Sequence, residues 1–332
     1  MSNRKSIDSL QPYSKSGYNK EKKKEGLVVK SFNTYKALPE HGGLTVEKYL
    51  KDILHYSGRK LQKLTRMNGI FLNGKKVFLQ KKIKGEDTLR ILAFEDTSYG
   101  VEPEEGAIDL LYEDDYLLVV NKPAYQLVHP TGQTSSGTLA NYLAWHLKQR
   151  GIVSTIRPLH RLDRDTSGCV IFAKDSRSQF MLEQQLKENV LKRTYWALVK
   201  GVPSPPSGTI DAPIGHHPNL PNRRAITEKG EPAVTHYSTV RSFGDTSLLE
   251  LNLETGRTHQ IRLHLAHLGH LLLGDSMYGQ RTTWMKRQAL HAKSLSFKHL
   301  KDNHEVIVES PLPEYFTQAV DFCANPSTFS GQ

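Results

Sequence analysis

The chain has almost no cysteine. Cys169 and Cys323 are the only two in 332 residues, too few for a disulfide framework or a cysteine-rich zinc site. No run of ~18 apolar residues is present, so no membrane span is expected. The opening segment MSNRKSIDSLQPYSKSGYNKEKKKEG holds no apolar stretch that could serve as a secretory signal. These absences point to a reducing, cytoplasmic location. Two further absences narrow the chemistry. A zinc-dependent base deaminase needs a His-x-Glu and a Pro-Cys-x-x-Cys set, and neither occurs. A nucleotide-dependent transferase would carry a Gly-rich loop after a strand, and no convincing one is found. There is no internal repeat.

What is present is positive charge, and it is unevenly placed. Residues 1–100 hold 21 Lys and Arg against 10 Asp and Glu, a net +11, whereas residues 101–332 hold 24 of each. A basic module of this kind suits phosphate, because each neutralised phosphate releases counterions. An ordinary solvated basic surface is the bland alternative. Residues 1–25 are polar, Ser- and Lys-rich, and read as a disordered tail. A compact pattern begins near residue 26. Val46, Tyr49, Leu50 and Ile53 recur at helical spacing, and a second short helix is expected over Arg59–Met67 with Leu61 and Leu64 inward. Ile70–Leu72, Asn73-Gly74 and Lys75–Leu79 read as a hairpin on a primed turn, followed by a strand at Thr88–Leu92. The whole stretch 26–97 resembles the small RNA-binding domain named after ribosomal protein S4. The resemblance implies RNA contacts from Arg59, Lys60, Lys63 and Arg66, which lie on or near one short helix.

Acidic residues with Gly and Pro suggest a linker over 98–115, leaving a larger domain at 116–332. Its strands are expected at Tyr116–Asn121, Cys169–Ala173, Lys192–Lys200, Val234–Ser242 and Ser247–Leu253. Helices are expected at Thr138–Gln149, Ser176–Asn189 and Thr258–Leu268. Without a repeating strand–helix unit, this order predicts an α+β fold with a mixed, mainly antiparallel sheet.

The densest polar segment is His160-Arg161-Leu162-Asp163-Arg164-Asp165-Thr166-Ser167-Gly168, which precedes an apolar strand. Asp163 stands between two arginines, which would hold it ionised. A carboxylate of ordinary pKa ~4 needs no separate base to act as a nucleophile at neutral pH. A salt-bridged turn, with Asp165, Thr166 and Ser167 bonded to nearby backbone, is the structural alternative.

This segment resembles the signature of the RluA-like pseudouridine synthases. NKPAYQLVHP (121–130), LKRTYWALVKG (191–201), LETGRTHQIRLHLAHLGHLLLGD (253–275) and LHAKSLSF (290–297) fall in that family's order. The resemblance implies a pseudouridine synthase domain over 116–332, with Asp163 as the catalytic carboxylate and Arg262 as its ion-pair partner. By the same resemblance Tyr195 lies against the uracil, Arg161 enters the RNA stack when the target nucleotide flips out, and Ile261 and Leu290 form the apolar wall of the base pocket. It implies no cofactor, a monomer, and ribosomal RNA as substrate ahead of transfer RNA. A non-catalytic RNA-binding or ribosome-assembly protein is the rival reading.

Two turns depart from the family pattern. Tyr125 stands where the family has glycine, and Asp275-Ser276-Met277-Tyr278-Gly279 lacks the usual proline; both are expected to affect substrate contacts rather than catalysis. His264, His267 and His270 recur every three residues without an acidic or cysteine ligand, so helix-surface or hydrogen-bonding histidines are expected rather than a metal site.

Overall fold

The computed structural model describes residues 31–325 other than 95, 133, 222 and 283, and the chain divides between Thr97 and Ser98 into two compact units. The basic tail expected at 1–25 lies outside the described residues.

In the N-terminal unit, Thr45 caps a helical turn by accepting the Lys48 amide at 3.2 Å. The turn Val46–Lys48 runs on into Tyr49–Ile53, where the helix widens so that the Leu54 amide reaches the Tyr49 carbonyl. Val46, Tyr49 and Leu50 still share the buried side. Ser57 caps Gly58–Arg66, whose Leu61 and Leu64 fill the same core. Asn73 (φ 48°) and Gly74 (φ 77°) both adopt the left-handed conformation that a primed hairpin turn demands. They join Ile70–Leu72 to Lys75–Lys76. With Phe32–Lys36, which sequence reading did not find, and Thr88–Leu92, these form a four-stranded antiparallel sheet.

The larger unit is built on a ten-stranded mixed sheet. Its main path runs Ser207–Asp211, Val234–Phe243, Thr246–Leu253, Lys192–Lys200, Leu290–Lys298, Ser167–Ala173, Leu117–Lys122, Asp109–Glu113. All its named pairings are antiparallel except that of Leu290–Lys298 with Ser167–Ala173. Strand periodicity sorts side chains into two cores. Leu118, Val120, Val170, Phe172, Tyr195, Ala197 and Val199 face one of them, together with Leu139, Leu143 and Leu147 of helix Leu139–Gln149 and Ile261 and Leu265 of helix Gln260–His267. Leu117, Val119, Cys169 and Ile171 face the other, where Leu182 of helix Ser176–Lys187 packs. The continuous apolar run Ser167–Ala173 is thus buried on both sides, as a central strand should be.

The expected linker at 98–115 is corrected by the structure. Asp109–Glu113 is an edge strand paired with Leu117–Lys122. Tyr99, Val101 and Ile108 pack on the main core, and the Glu104 carboxylate accepts the Gly137 amide. Acidic residues had suggested solvent, but the apolar positions between them supply enough surface to dock the segment. The strands Leu290–Lys298 and Glu305–Glu309 and the helix Glu314–Ala324 were also not anticipated as elements. No helix among the described residues is long and apolar enough to cross a membrane.

Candidate active site

Asp163 sits in the loop that feeds the central strand Ser167–Ala173. Its backbone carbonyl accepts the Thr166 amide at 3.1 Å, closing a turn. Gly168 explains why this loop ends as it does. At φ 114° its backbone lies so close to Leu290–Lys298 that an added Cβ would stand 2.2 Å from the Ala292 carbonyl oxygen. Only glycine permits that approach, and it fixes the parallel register His291 with Ser167 and Ala292 with Gly168.

The expected charge pairing is corrected in its partners. Arg164 does not hold Asp163; its Nε lies 3.1 Å from Asp165. Asp165 is therefore an ion-pair partner of its neighbour, rather than a carboxylate bonded to backbone amides. The cation on Asp163 comes from 99 residues away: Arg262 Nη1 donates to Asp163 Oδ2 at 3.0 Å. Arg262 in turn is clamped by Asp275, with Nε to Oδ2 at 2.7 Å and Nη2 to Oδ1 at 2.8 Å. Asp275 is wholly buried, and it also accepts the Met277 and Tyr278 amides. Burial acts to neutralise both groups, but their mutual bonds and charge outweigh it: the Asp275 carboxyl is held below, and the Arg262 guanidinium above, its ordinary pKa. A bidentate fork spends two sides of the guanidinium on orientation and leaves a third donor for Asp163.

The turn at Asp275 was expected to affect substrate contacts more than activity; the structure places its carboxylate behind Arg262, which it orients. Lys122 was likewise missed. It is fully buried, and its Nζ donates to the carbonyls of Pro123 (2.8 Å), Gln126 (2.8 Å) and Arg164 (3.0 Å). Burial pulls its pKa down to about 7, partly opposed by Asp165 and Asp163. Three acceptors match the three hydrogens of an ammonium, so this side chain ties the turn after Leu117–Lys122 to the residue following Asp163. The signal available in sequence was a lysine at the end of an apolar strand, where a solvated charge is the ordinary expectation.

A cleft of about 470 Å³ opens beside Asp163. Arg161, Tyr195, Arg262, Ile261 and Leu290, all named from sequence, line it with Asp163. Tyr195 belongs to the strand Lys192–Lys200 and is 4% exposed. Burial raises its phenol pKa, and the Asp163 charge adds to the effect. Ile261 and Leu290 are buried apolar walls, while Arg161 is exposed at the mouth. The helix carrying Ile261 and Arg262 starts at Gln260 rather than Thr258, because His259 takes a left-handed φ of 59° and bonds Tyr278 Oη through Nδ1 at 2.9 Å. The cleft therefore combines an anion, an aromatic face and apolar walls. That set can receive a flat heterocycle and act on the sugar attached to it.

Arg59, Lys60, Lys63 and Arg66 are all in the N-terminal unit, on Gly58–Arg66. Lys60 lies over the Tyr56 ring at 4.4 Å and Lys63 over Phe94 at 4.2 Å, while Arg59 and Arg66 are exposed. Two histidines of the series have local partners: His264 bonds Thr235 Oγ1 and the Ala212 carbonyl, and His270 bonds the Lys200 carbonyl, while His267 is exposed. A different group, His299, Asp302 and His304, gathers donor atoms of metal-ligand type after the strand Leu290–Lys298, outside the cleft. There each histidine Nδ1 is 2.6 Å from Asp302 Oδ1, a hydrogen-bonding distance.

Comparison with known proteins identifies the family. Residues 116–267 match the family model for RNA pseudouridylate synthases. The uncharacterized RNA pseudouridine synthase YhcT of Bacillus subtilis (strain 168) is 41% identical over 266 residues, 80% of this chain and 88% of its own length. Ribosomal large subunit pseudouridine synthase D of Nitrosomonas europaea is 36% identical over 283 residues, covering 82% of each chain. Among solved structures, human RNA pseudouridylate synthase domain containing 1 aligns with a TM-score of 0.53 and 28% identity, over 66% of this chain and 90% of its own. Human RNA pseudouridylate synthase domain containing 4 shares the fold, with a TM-score of 0.54 at 24% identity over 65% and 93%. The chain belongs to the RNA pseudouridine synthase family. It is an isomerase: it breaks the bond between uracil and ribose and remakes it through carbon 5.

Proposed function

We propose that this chain modifies uridines in large-subunit ribosomal RNA, with Asp163 as the reacting carboxylate and the N-terminal unit, read as S4-like, as an RNA anchor. The observation that carries the assignment is the ion pair of Asp163 with Arg262 in the same cleft as Tyr195. The ribosomal choice is supported by relatives named ribosomal large subunit pseudouridine synthase D at 36% identity. The target nucleotide leaves its stack, and Arg161 at the cleft mouth fills the gap. Uracil lies on Tyr195 between Ile261 and Leu290. Asp163 acts on the ribose, at the anomeric carbon or at the 2′ proton; both routes use the carboxylate that Arg262 holds in place. The uracil turns, carbon 5 bonds to the sugar, and the carbon 5 proton leaves with Tyr195 Oη at hand. These steps redistribute bonds within one nucleotide, so no redox partner or phosphate donor is consumed.

The test is tritium release from RNA labelled at carbon 5 of uridine. Purified protein is offered protein-free large-subunit ribosomal RNA and, separately, transfer RNA. Release from the ribosomal RNA alone is expected. Release only from transfer RNA would move the substrate, and release from neither would overturn the proposal.

A further inference from the structure

One aromatic group near the catalytic loop is not used by the chemistry above. Tyr125 lies in the turn after Leu117–Lys122, with a left-handed φ of 69°. Bulky side chains rarely take that conformation. The ring is nevertheless turned outward, and the residue is 51% exposed. Its inner face is covered: the Arg287 guanidinium carbon stands 3.9 Å from the ring centroid. The same guanidinium lies 4.5 Å from the centroid of Tyr315, so a cation connects an exposed ring to a partly buried one.

This stack is firmly mounted. Tyr315 Oη is 2.7 Å from Ser167 Oγ, and Ser167 Oγ is 2.8 Å from His291 Nδ1, in the buried heart of the sheet. Beside Arg287, Gln288 Nε2 donates to Thr166 Oγ1 at 3.2 Å. From the other end, Lys122 holds the carbonyls of Pro123 and Gln126, which bracket Tyr125, together with that of Arg164. The exposed ring is thus fixed relative to the loop that carries Asp163, yet it is not among the residues lining the cleft.

We infer that Tyr125, backed by Arg287, is a stacking platform for an unpaired base of the substrate RNA next to the nucleotide being modified. This rests on the reading of the chain as an enzyme acting on ribosomal RNA. The chemistry favours a base over other partners. A rigid, half-exposed ring with a cation behind it presents a flat face that any nucleobase can cover, and such stacking is tolerant of sequence. Flipping a nucleotide out of a helix also leaves its neighbours unstacked, so a platform beside the cleft offsets part of that cost.

The test compares Tyr125→Gly, Tyr125→Phe and the unaltered full chain. Glycine suits the left-handed turn, so Tyr125→Gly keeps the fold and removes only the ring. The probe is protein-free large-subunit ribosomal RNA; Kd by filter binding at several salt concentrations, KM, kcat and thermal melting are measured. For Tyr125→Gly, Kd and KM should rise roughly 5- to 100-fold, the range expected when one base–aromatic stack is removed. Its kcat and melting temperature should be kept, and the slope of log affinity against log salt should not change, because the same phosphates remain neutralised. Tyr125→Phe should match the unaltered chain. Unchanged Kd and KM in Tyr125→Gly would overturn the platform. So would a fall in kcat and melting temperature at constant KM, which marks a purely structural ring, or a salt slope reduced by about one, which marks a phosphate contact instead. If the unaltered chain forms no pseudouridine in this RNA, the proposed substrate is wrong, and the same comparison is made with transfer RNA, where unchanged Kd and KM in Tyr125→Gly would again overturn the platform.

Discussion

The two units use charge in opposite ways. Residues 1–97 carry a net excess of positive charge, and residues 98–332 hold 24 Lys and Arg against 24 Asp and Glu. In the N-terminal unit Arg59 and Arg66 face solvent on one short helix. In the larger unit Arg262, Asp275 and Lys122 are buried and bonded to named partners. Unpaired surface charge acts at a distance, is screened by salt and recognises any phosphate. Paired buried charge acts over one bond length and sets the orientation of a single group. An excess of surface charge therefore suits a diffuse partner such as phosphate, and a balance of buried charge suits the orientation of one group.

The comparison breaks most sharply at Asp163. Asp163→Asn keeps shape but removes the anion, and should leave no measurable tritium release while RNA affinity and melting stay near those of the unaltered chain. Asp165→Asn, which loses an ion pair to its neighbour Arg164 with partial solvent exposure, should retain turnover; an inert, folded Asp165 variant together with an active Asp163 variant would reverse the assignment. Asp275→Asn comes next. Removing one partner of a buried pair costs about 3–5 kcal/mol, so urea unfolding should shift strongly and kcat should fall as Arg262 loses its clamp. All three tryptophans, Trp145, Trp196 and Trp284, lie in the larger unit, so intrinsic fluorescence reads this loss there. A variant as stable as the unaltered chain would show that the clamp is dispensable.

Acid should separate the units by a comparable margin. Burial pushes His160 down to about 3 and His291 to about 4, from an ordinary 6.5. The unfolded chain then binds protons below pH 6.5 that the folded chain refuses. Stability is lost as pH falls from about 6.5 toward 4 and 3, with each unit of lowering worth about 1.4 kcal/mol. Both ring nitrogens of His160 and the whole of His291 are buried, whereas His41 and His55 in the N-terminal unit are half-buried. Tryptophan-detected urea midpoints at pH 7.5 and 5.0 should therefore differ clearly, and equal midpoints would refute the buried neutral histidines. The smallest effect is expected from replacing Arg59, Lys60, Lys63 and Arg66 with alanine together. Turnover at saturating RNA should persist, and the slope of log affinity against log salt should fall by roughly 0.7–0.9 for each phosphate that these side chains had neutralised. An unchanged slope would remove this helix from the RNA-binding surface.

Much of this contrast was legible in the residues. The hairpin at Asn73-Gly74, the helix over Gly58–Arg66 and the central strands follow from local spacing and turn chemistry. Asp163, Tyr195, Arg262, Ile261 and Leu290 were found by resemblance to ordered motifs, and they do share a cleft. What escaped was pairing at long range. Nothing local to Asp275 shows that its carboxylate meets Arg262, since a short turn with Ser and Gly reads as a surface feature. Lys122 failed for the same reason: its acceptors are backbone carbonyls, which carry no residue identity. The strand Asp109–Glu113 was masked by acidic neighbours whose side chains reach solvent while Leu111 and Tyr112 pack inward.

The separation of the paired groups along the chain has a consequence for how the protein comes into being. Asp163 meets Arg262 across 99 positions, and Ser167 meets Tyr315 across 148. Contacts of such span form late, because the intervening loop must close before they reward it. The N-terminal unit draws on helices and a hairpin from one short stretch, so it can fold while the remainder is still being made. At translation rates of ~5–20 residues per second, roughly 10–40 s separate the emergence of its last residue from that of Tyr315. If the N-terminal unit is the RNA anchor proposed above, a nascent chain in that interval would hold RNA before it has an assembled centre to act on it. Synthesis itself thus completes the basic unit before the pair Asp163–Arg262 can form.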